Sequence, residues 1–141
     1  MNDSITKIQI DTKVIDIKNN PMKSDFNKSV LQCVNQHALY CKNQRNVTHN
    51  QGEKTYEERL DGCEITGSGL VSENCAKTYG MGSTRMDIRR IIKAYYINKH
   101  KTLHWASFMI KGFRFYTTSI VRGPVYTYSV TIFTEYKTDK I

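Results

Sequence analysis

Cysteine and histidine are the residues of this chain whose chemistry depends most on spacing. Cys33, His37 and Cys41 stand four apart, and Cys63 and Cys75 follow downstream. On a helix, residues four apart share a face, so one sulfur, one imidazole and a second sulfur would line up together. Disulfide formation and metal ligation are the two chemistries such a set can perform. Eight helical residues rise about 12 Å, whereas a disulfide needs its Cα atoms within roughly 7 Å. If the helix runs unbroken through Cys41, then Cys33 and Cys41 must each reach Cys63 or Cys75. If it breaks near Ala38, the local pairs Cys33–Cys41 and Cys63–Cys75 are open, and four cysteines allow three pairings in all. The metal alternative is a zinc shared by ligands at i and i+4. The eleven residues between Cys63 and Cys75 are unlike the tight spacing of zinc knuckles. The reading adopted is therefore disulfides at Cys33, Cys41, Cys63 and Cys75, with no metal and no cofactor.

The four histidines are His37, His49, His100 and His104, and imidazoles titrate near neutral pH. His37 falls on an apolar stripe, where an unpartnered proton would cost stability. His100 and His104 flank Lys101, whose charge would hold their pKa values down. These three are the candidate pH-responsive groups. His37, His49 or His100 acting with a lysine could also run a ribonuclease-like acid–base reaction, although nothing in their spacing enforces convergence. Arg85, Arg89 and Lys93, four apart, would line one helix face with positive charge and form a candidate binding surface. The preceding Gly80-Met81-Gly82-Ser83-Thr84 could cradle an anion, but it lacks the lysine of a phosphate-binding loop, and a capped helix explains it as well. Tyr126, Tyr128 and Tyr136 share one strand face, which reads as buried under helices rather than as a binding stripe.

The elements that must position these groups follow from periodicity. Residues 5–17 are rich in β-branched residues with an alternation that slips once, as in a bulged strand or two short strands. Ser24 or Asp25 caps a helix running to about Lys42, with Phe26, Val30, Cys33, Val34, His37 and Cys41 as its apolar stripe. Residues 43–62 are polar and read as a long surface loop. Gly67-Ser68-Gly69 suggests a turn between two short extended pieces. A second helix runs from about Thr84 to Lys99, with Thr84 and Asp87 imitating a capping box and Ile88, Ile91, Ile92 and Tyr95 on its buried face. Residues 103–110, 113–121 and 126–136 are β-prone runs. In the last, Thr127, Ser129, Thr131 and Glu135 should meet water while the opposite face packs. The expected fold is one α+β domain over residues 1–141. A C-terminal three-strand antiparallel meander, joined at an edge by the N-terminal strand, carries two packed helices.

With 39% hydrophobic and 11% aromatic residues, the chain has enough apolar surface to form a core. No apolar run approaches the roughly 18 residues of a membrane helix. The net charge of +8 comes from lysines and arginines scattered along the chain, which argues against nucleic acid as the partner. Four cysteines in a small, polar-rich domain imply an oxidising compartment, yet Met1-Asn2-Asp3-Ser4 opens without an apolar leader. A periplasmic or secreted protein is expected, whose native form carries an N-terminal anchor or leader. Asn27-Lys28-Ser29 and Asn46-Val47-Thr48 fit the glycosylation triplet by composition alone.

Paired cysteines Cys33, Cys41, Cys63 and Cys75, a strand-rich stretch over 103–136 and four histidines together resemble one known group. This is the periplasmic portion of the small bitopic proteins that accompany ToxR-like membrane transcription regulators, of the ToxS and PsaF/MyfF type. The resemblance implies a non-enzymatic role: binding and stabilising the regulator's periplasmic segment and helping it respond to acid. The alternative is a secreted effector or toxin subunit.

Overall fold

The computed structural model describes residues 23–24, 28–63, 65, 69–80, 82–109 and 113–135. The expected strand over 5–17, together with Phe26 and Tyr136, lies outside them. Strand β1 (Lys23–Ser24) precedes helix α1 (Lys28–Gln44) and the short helix α2 (Tyr56–Gly62). Strand β2 (Val71–Tyr79), helix α3 (Thr84–Ile97), the single turn α4 (Ala106–Met109) and strands β3 (Phe115–Arg122) and β4 (Tyr126–Thr134) complete the order. The sheet runs β1-β3-β4-β2. The two long pairings are antiparallel, and two-residue β1 adds a parallel edge beside β3.

The α+β class is as expected, but the third antiparallel strand is β2 rather than residues 103–110. Residues 103–109 of that run form a turn and then α4, because Trp105 and Phe108 sit three apart and one helical turn points both into the same aromatic cluster. That cluster also contains Ile88, Ile91, Ile92, Tyr95, Phe113, Tyr116 and Phe133. A second core, on the opposite face, joins Val30, Cys33, Val34 and Ala38 of α1 to Ile65, Cys75, Val130 and Ile132. The sheet is therefore covered on both faces, and the expected wet face of the last strand does not exist. Thr127, Ser129 and Thr131 are buried, and Thr131 satisfies its hydroxyl against Thr118 at 2.8 Å.

Helix α1 keeps its apolar stripe through Cys41 over its described span; of the two expected caps, Ser24 belongs to β1 and Asp25 lies outside the described residues. Helix α3 is capped by Ser83, whose hydroxyl accepts from the Met86 amide. Asp87 does not close a capping box. It is buried and instead accepts from Thr127 Oγ1 at 2.6 Å, with Arg122 Nε 3.6 Å away. This pins α3 to the β3–β4 hairpin. The expected loop over 43–62 is also more ordered than its polarity suggests. Gln51 and Lys54 bridge across a turn, and Thr55 and Glu58 form a reciprocal capping box that starts α2.

Candidate functional site

Helix α1 and the chain after it wrap a carboxylate contributed by β2. Glu73 sits with its side chain fully buried, and Arg59 of α2 grips both its oxygens, Nη1 to Oε1 at 2.9 Å and Nη2 to Oε2 at 2.8 Å. Arg59 Nη1 also donates to the His49 carbonyl at 2.6 Å, which ties the loop to the pair. His49 donates from Nδ1 to Glu73 Oε1 at 2.9 Å, and the Cys75 thiol donates to the same oxygen at 3.3 Å. Burial pushes the Glu73 carboxyl up, but the hydrogen bonds from Arg59 and His49 outweigh it and hold the pKa down at about 2. The same burial, reinforced by the Glu73 charge, raises the pKa of the Cys75 thiol strongly, so it stays protonated.

His37 lies behind this pair. One ring nitrogen, Nε2, donates to the Thr48 carbonyl, and Nδ1 accepts from Gln51 Nε2 at 3.1 Å. Cys41 Sγ stands 3.7 Å from both His37 Nε2 and the Thr48 oxygen. Burial lowers the His37 pKa and raises that of Cys41. A ligand atom from each of His37, Glu73 and Cys75 falls within 4.8 Å of the others, so these three could share a metal. To do so, Gln51 would have to release the imidazole and Arg59 the carboxylate. As arranged, the donors and acceptors satisfy one another except at Arg59 Nε, which is buried without a hydrogen-bond partner among the described residues, and such pairing is how a structural polar network is held in a core.

Outside Glu73, the network opens into a cleft of about 480 Å³. His49 reaches it from the loop after α1, with 47% of its side chain exposed. His104 reaches it from the turn after α3. Asn74 Nδ2 donates to the His104 carbonyl at 2.9 Å, and the Ser72 and Ser107 hydroxyls bond each other at 3.0 Å, so β2 is fixed to the wall formed by the turn after α3 and α4. His104 bonds Thr102 through Nδ1 and stacks on Tyr95 at 5.0 Å. Its pKa is lowered first by burial and then by the His49 charge, rather than by Lys101 as the sequence suggested. Exposed Leu103 and buried Phe113 supply the apolar part of the lining.

The candidates named from sequence thus separate. His37 is sealed in the network and His104 lines the cleft, while His100 is exposed in the turn after α3. His37 and His49 both come to Glu73, but His100 does not line the cleft, and no lysine lines it among the described residues. Arg85, Arg89 and Lys93 are all exposed along α3, away from this site. Among the cysteines, Cys33 and Cys63 are bonded, with Cα atoms 5.7 Å apart. Cys41 and Cys75 are thiols, which corrects the expectation of two bridges. The unbroken helix carries Cys41 two turns beyond Cys33, beside the His37 imidazole, while Cys75 faces Glu73.

Arg59 and Glu73 carry the site, and sequence reasoning passed over both. Glu-Arg in a polar stretch looks like solvated surface, and Glu73 sits in a strand whose Glu-Asn-Cys run has no alternation to mark an inward face. The capping pattern Thr55-x-x-Glu58 was the one available sign that the polar stretch folds back.

No protein-family model matches the sequence, and no curated protein matches it. Among solved structures, the chain is similar to an outer surface protein of Borrelia burgdorferi. Identity is 15%, over 94% of this chain and 90% of that one, with a TM-score of 0.65. The likeness is one of fold.

Proposed function

We propose that the chain is a non-enzymatic interaction domain working outside the cytoplasm, with the His49–Glu73–His104 cleft facing a protein partner. The Cys33–Cys63 bond carries this reading. It closes the 30-residue segment that supplies His37, Thr48, His49, Gln51 and Arg59, so the wall of the cleft is stapled by a bond that persists in oxidising compartments. The fold shared with an outer surface protein supports the same setting. The cleft favours binding over turnover: its serines are bonded to each other, and the Cys75 thiol is protonated and held by Glu73. Within this class, the role implied by the ToxR-type resemblance is a sensory or chaperone-like partner of a membrane-bound regulator. The lowered pKa values of His37 and His104 support a response to acid.

A photocrosslinking residue in place of Leu103, which is 84% exposed beside the cleft, tests the reading in cells that export the protein. The expected result is an adduct with a membrane or surface protein. Non-reducing intact mass should show two hydrogens fewer than the reduced chain. A fully reduced mass would overturn the compartment, and absence of any protein adduct would overturn the binding role.

A further inference from the structure

A second cavity, also of about 480 Å³, lies where the C-terminal end of α1 meets the β3–β4 hairpin, and nothing in the proposed function uses it. Lys42, Asn43, Arg45, Pro124, Tyr126 and Tyr128 line it, and among the described residues no carboxylate does. Tyr79 and Tyr126 stack beside it at 4.7 Å between ring centroids, with Tyr79 still 56% exposed. Lys77 Nζ lies 4.9 Å from the Tyr126 ring centre, a cation–π distance. Three cations, Lys42, Arg45 and Lys77, thus surround an open aromatic platform.

Two backbone features hold this arrangement. Gly123 donates its amide to the Tyr126 carbonyl at 2.7 Å, and a Cβ there would come within 3.0 Å of that oxygen. The Lys42 stem lies against the turn, its Cγ 3.7 Å from where that Cβ would be, an ordinary contact distance. Arg45 has φ 56°, the left-handed conformation that ends helices and ordinarily falls to glycine. Its carbonyl accepts from Lys77 Nζ at 3.3 Å. A long cationic side chain thus occupies a position where glycine would be less strained, and the charge is set at the mouth of the groove.

We infer that this groove binds a sulfated acidic polysaccharide, its sulfate groups on Lys42, Arg45 and Lys77 and one sugar ring against Tyr79. Ring C–H groups carry partial positive charge and suit the electron-rich face of tyrosine. The overall charge of +8 favours encounter with a polyanion. Single-stranded nucleic acid would meet the same chemistry. The choice of saccharide rests on the extracytoplasmic reading above, because acidic glycans are the polyanions of that setting.

The test is titration of the purified, disulfide-bonded protein with a heparin-derived hexasaccharide, its desulfated counterpart and a single-stranded oligonucleotide of matched charge. The sulfated sugar should bind, with affinity falling as salt rises. Arg45→Gly should weaken binding about tenfold through the lost charge while leaving the melting temperature unchanged or raised, since it relieves the left-handed strain. Tyr79→Ala should weaken binding by a similar factor, and Tyr79→Phe should restore it. The triple change of Arg85, Arg89 and Lys93 to Gln should alter affinity less than about twofold if the groove, and not general charge, is read. Equal loss in that triple variant, equal binding of the desulfated sugar, or tighter binding of the oligonucleotide would overturn the proposal. Because purified protein is used, failure here leaves the compartment reading standing, and that reading is decided by the mass measurement.

Discussion

The two faces of the sheet are held by different forces. Beneath α1 and α2, the core is organised around a charge: Arg59, His49 and Cys75 all direct hydrogens at Glu73. Beneath α3 and α4, it is a run of rings in which Phe108 meets Phe133 edge-on at 5.0 Å and Trp105 packs at 5.5 Å. Aromatic burial scales with area and is indifferent to pH. A buried ion pair depends on direction and on every partner being present. The α1–α2 face, which supplies the His49 wall of the cleft, is therefore the face that a reductant or loss of the Glu73 charge loosens, while the opposite wall, from His104 to Phe113, stands on the aromatic side.

The sharpest break in that comparison is Arg59→Ala. It leaves Glu73 charged, buried and short of its two strongest bonds, a situation that costs about 3–5 kcal/mol. Urea unfolding should show the loss, and hydrogen exchange should place it in α2 and the chain leading to it, with the amides around Phe133 still protected. A uniform loss of protection would mean the two faces are one cooperative unit.

Cys33→Ser should follow closely. Cross-linking a segment of 30 residues restricts the unfolded chain by about 3–4 kcal/mol in the chain-entropy account. The same drop in melting temperature should follow from a reductant added to the unmodified protein. An unchanged melting temperature under reduction would remove the staple from the account of the cleft.

Acid acts on the same face. The Glu73 pKa falls from 4.5 in the unfolded chain to about 2 in the folded one, so the unfolded state binds more protons between those values. Stability is therefore fully present above pH 4.5 and is lost as pH falls toward 2, by about 3 kcal/mol in all. The lowered pKa of His37 has the same sign and begins to remove stability as pH falls below 6.5; that of His104 does so too, but from its stack on Tyr95 on the aromatic side. Melting temperatures across this range should decline with falling pH. Glu73→Gln should flatten the segment below pH 4.5 and deepen the histidine segment, because the Glu73 charge raises the His37 pKa.

The difference between the faces also decided how much could be read from sequence. Helix α1, helix α3 and the β3–β4 hairpin announce themselves because apolar residues recur with the period of each element, and the stripe of Val30, Cys33, Val34, His37 and Cys41 is buried as its spacing requires. The Glu73 network is built from pairs 14 and 24 residues apart, joined across α2, the loop before it and β2, and no local period records such a pairing. Residues 103–110 misled for the opposite reason. Their aromatic content favours strands, but Trp105 and Phe108 reach the aromatic core more directly from one helical turn.

The smallest effect separates the two kinds of cysteine. Cys75→Ser replaces a thiol that donates to Glu73 at 3.3 Å with a hydroxyl that can donate to the same oxygen, so the network keeps its fourth hydrogen. The shorter side chain and the polar atom in a largely buried position should cost about 1 kcal/mol or less. Its effect should persist unchanged in reductant, because no bond to another sulfur is lost. Cys33→Ser should by contrast erase the response to reductant altogether. If Cys75→Ser cost as much as Cys33→Ser and also blunted that response, Cys75 would be bridged to Cys41. Glu73 would then lack the thiol hydrogen, and the ion pair would rest on Arg59 and His49 alone.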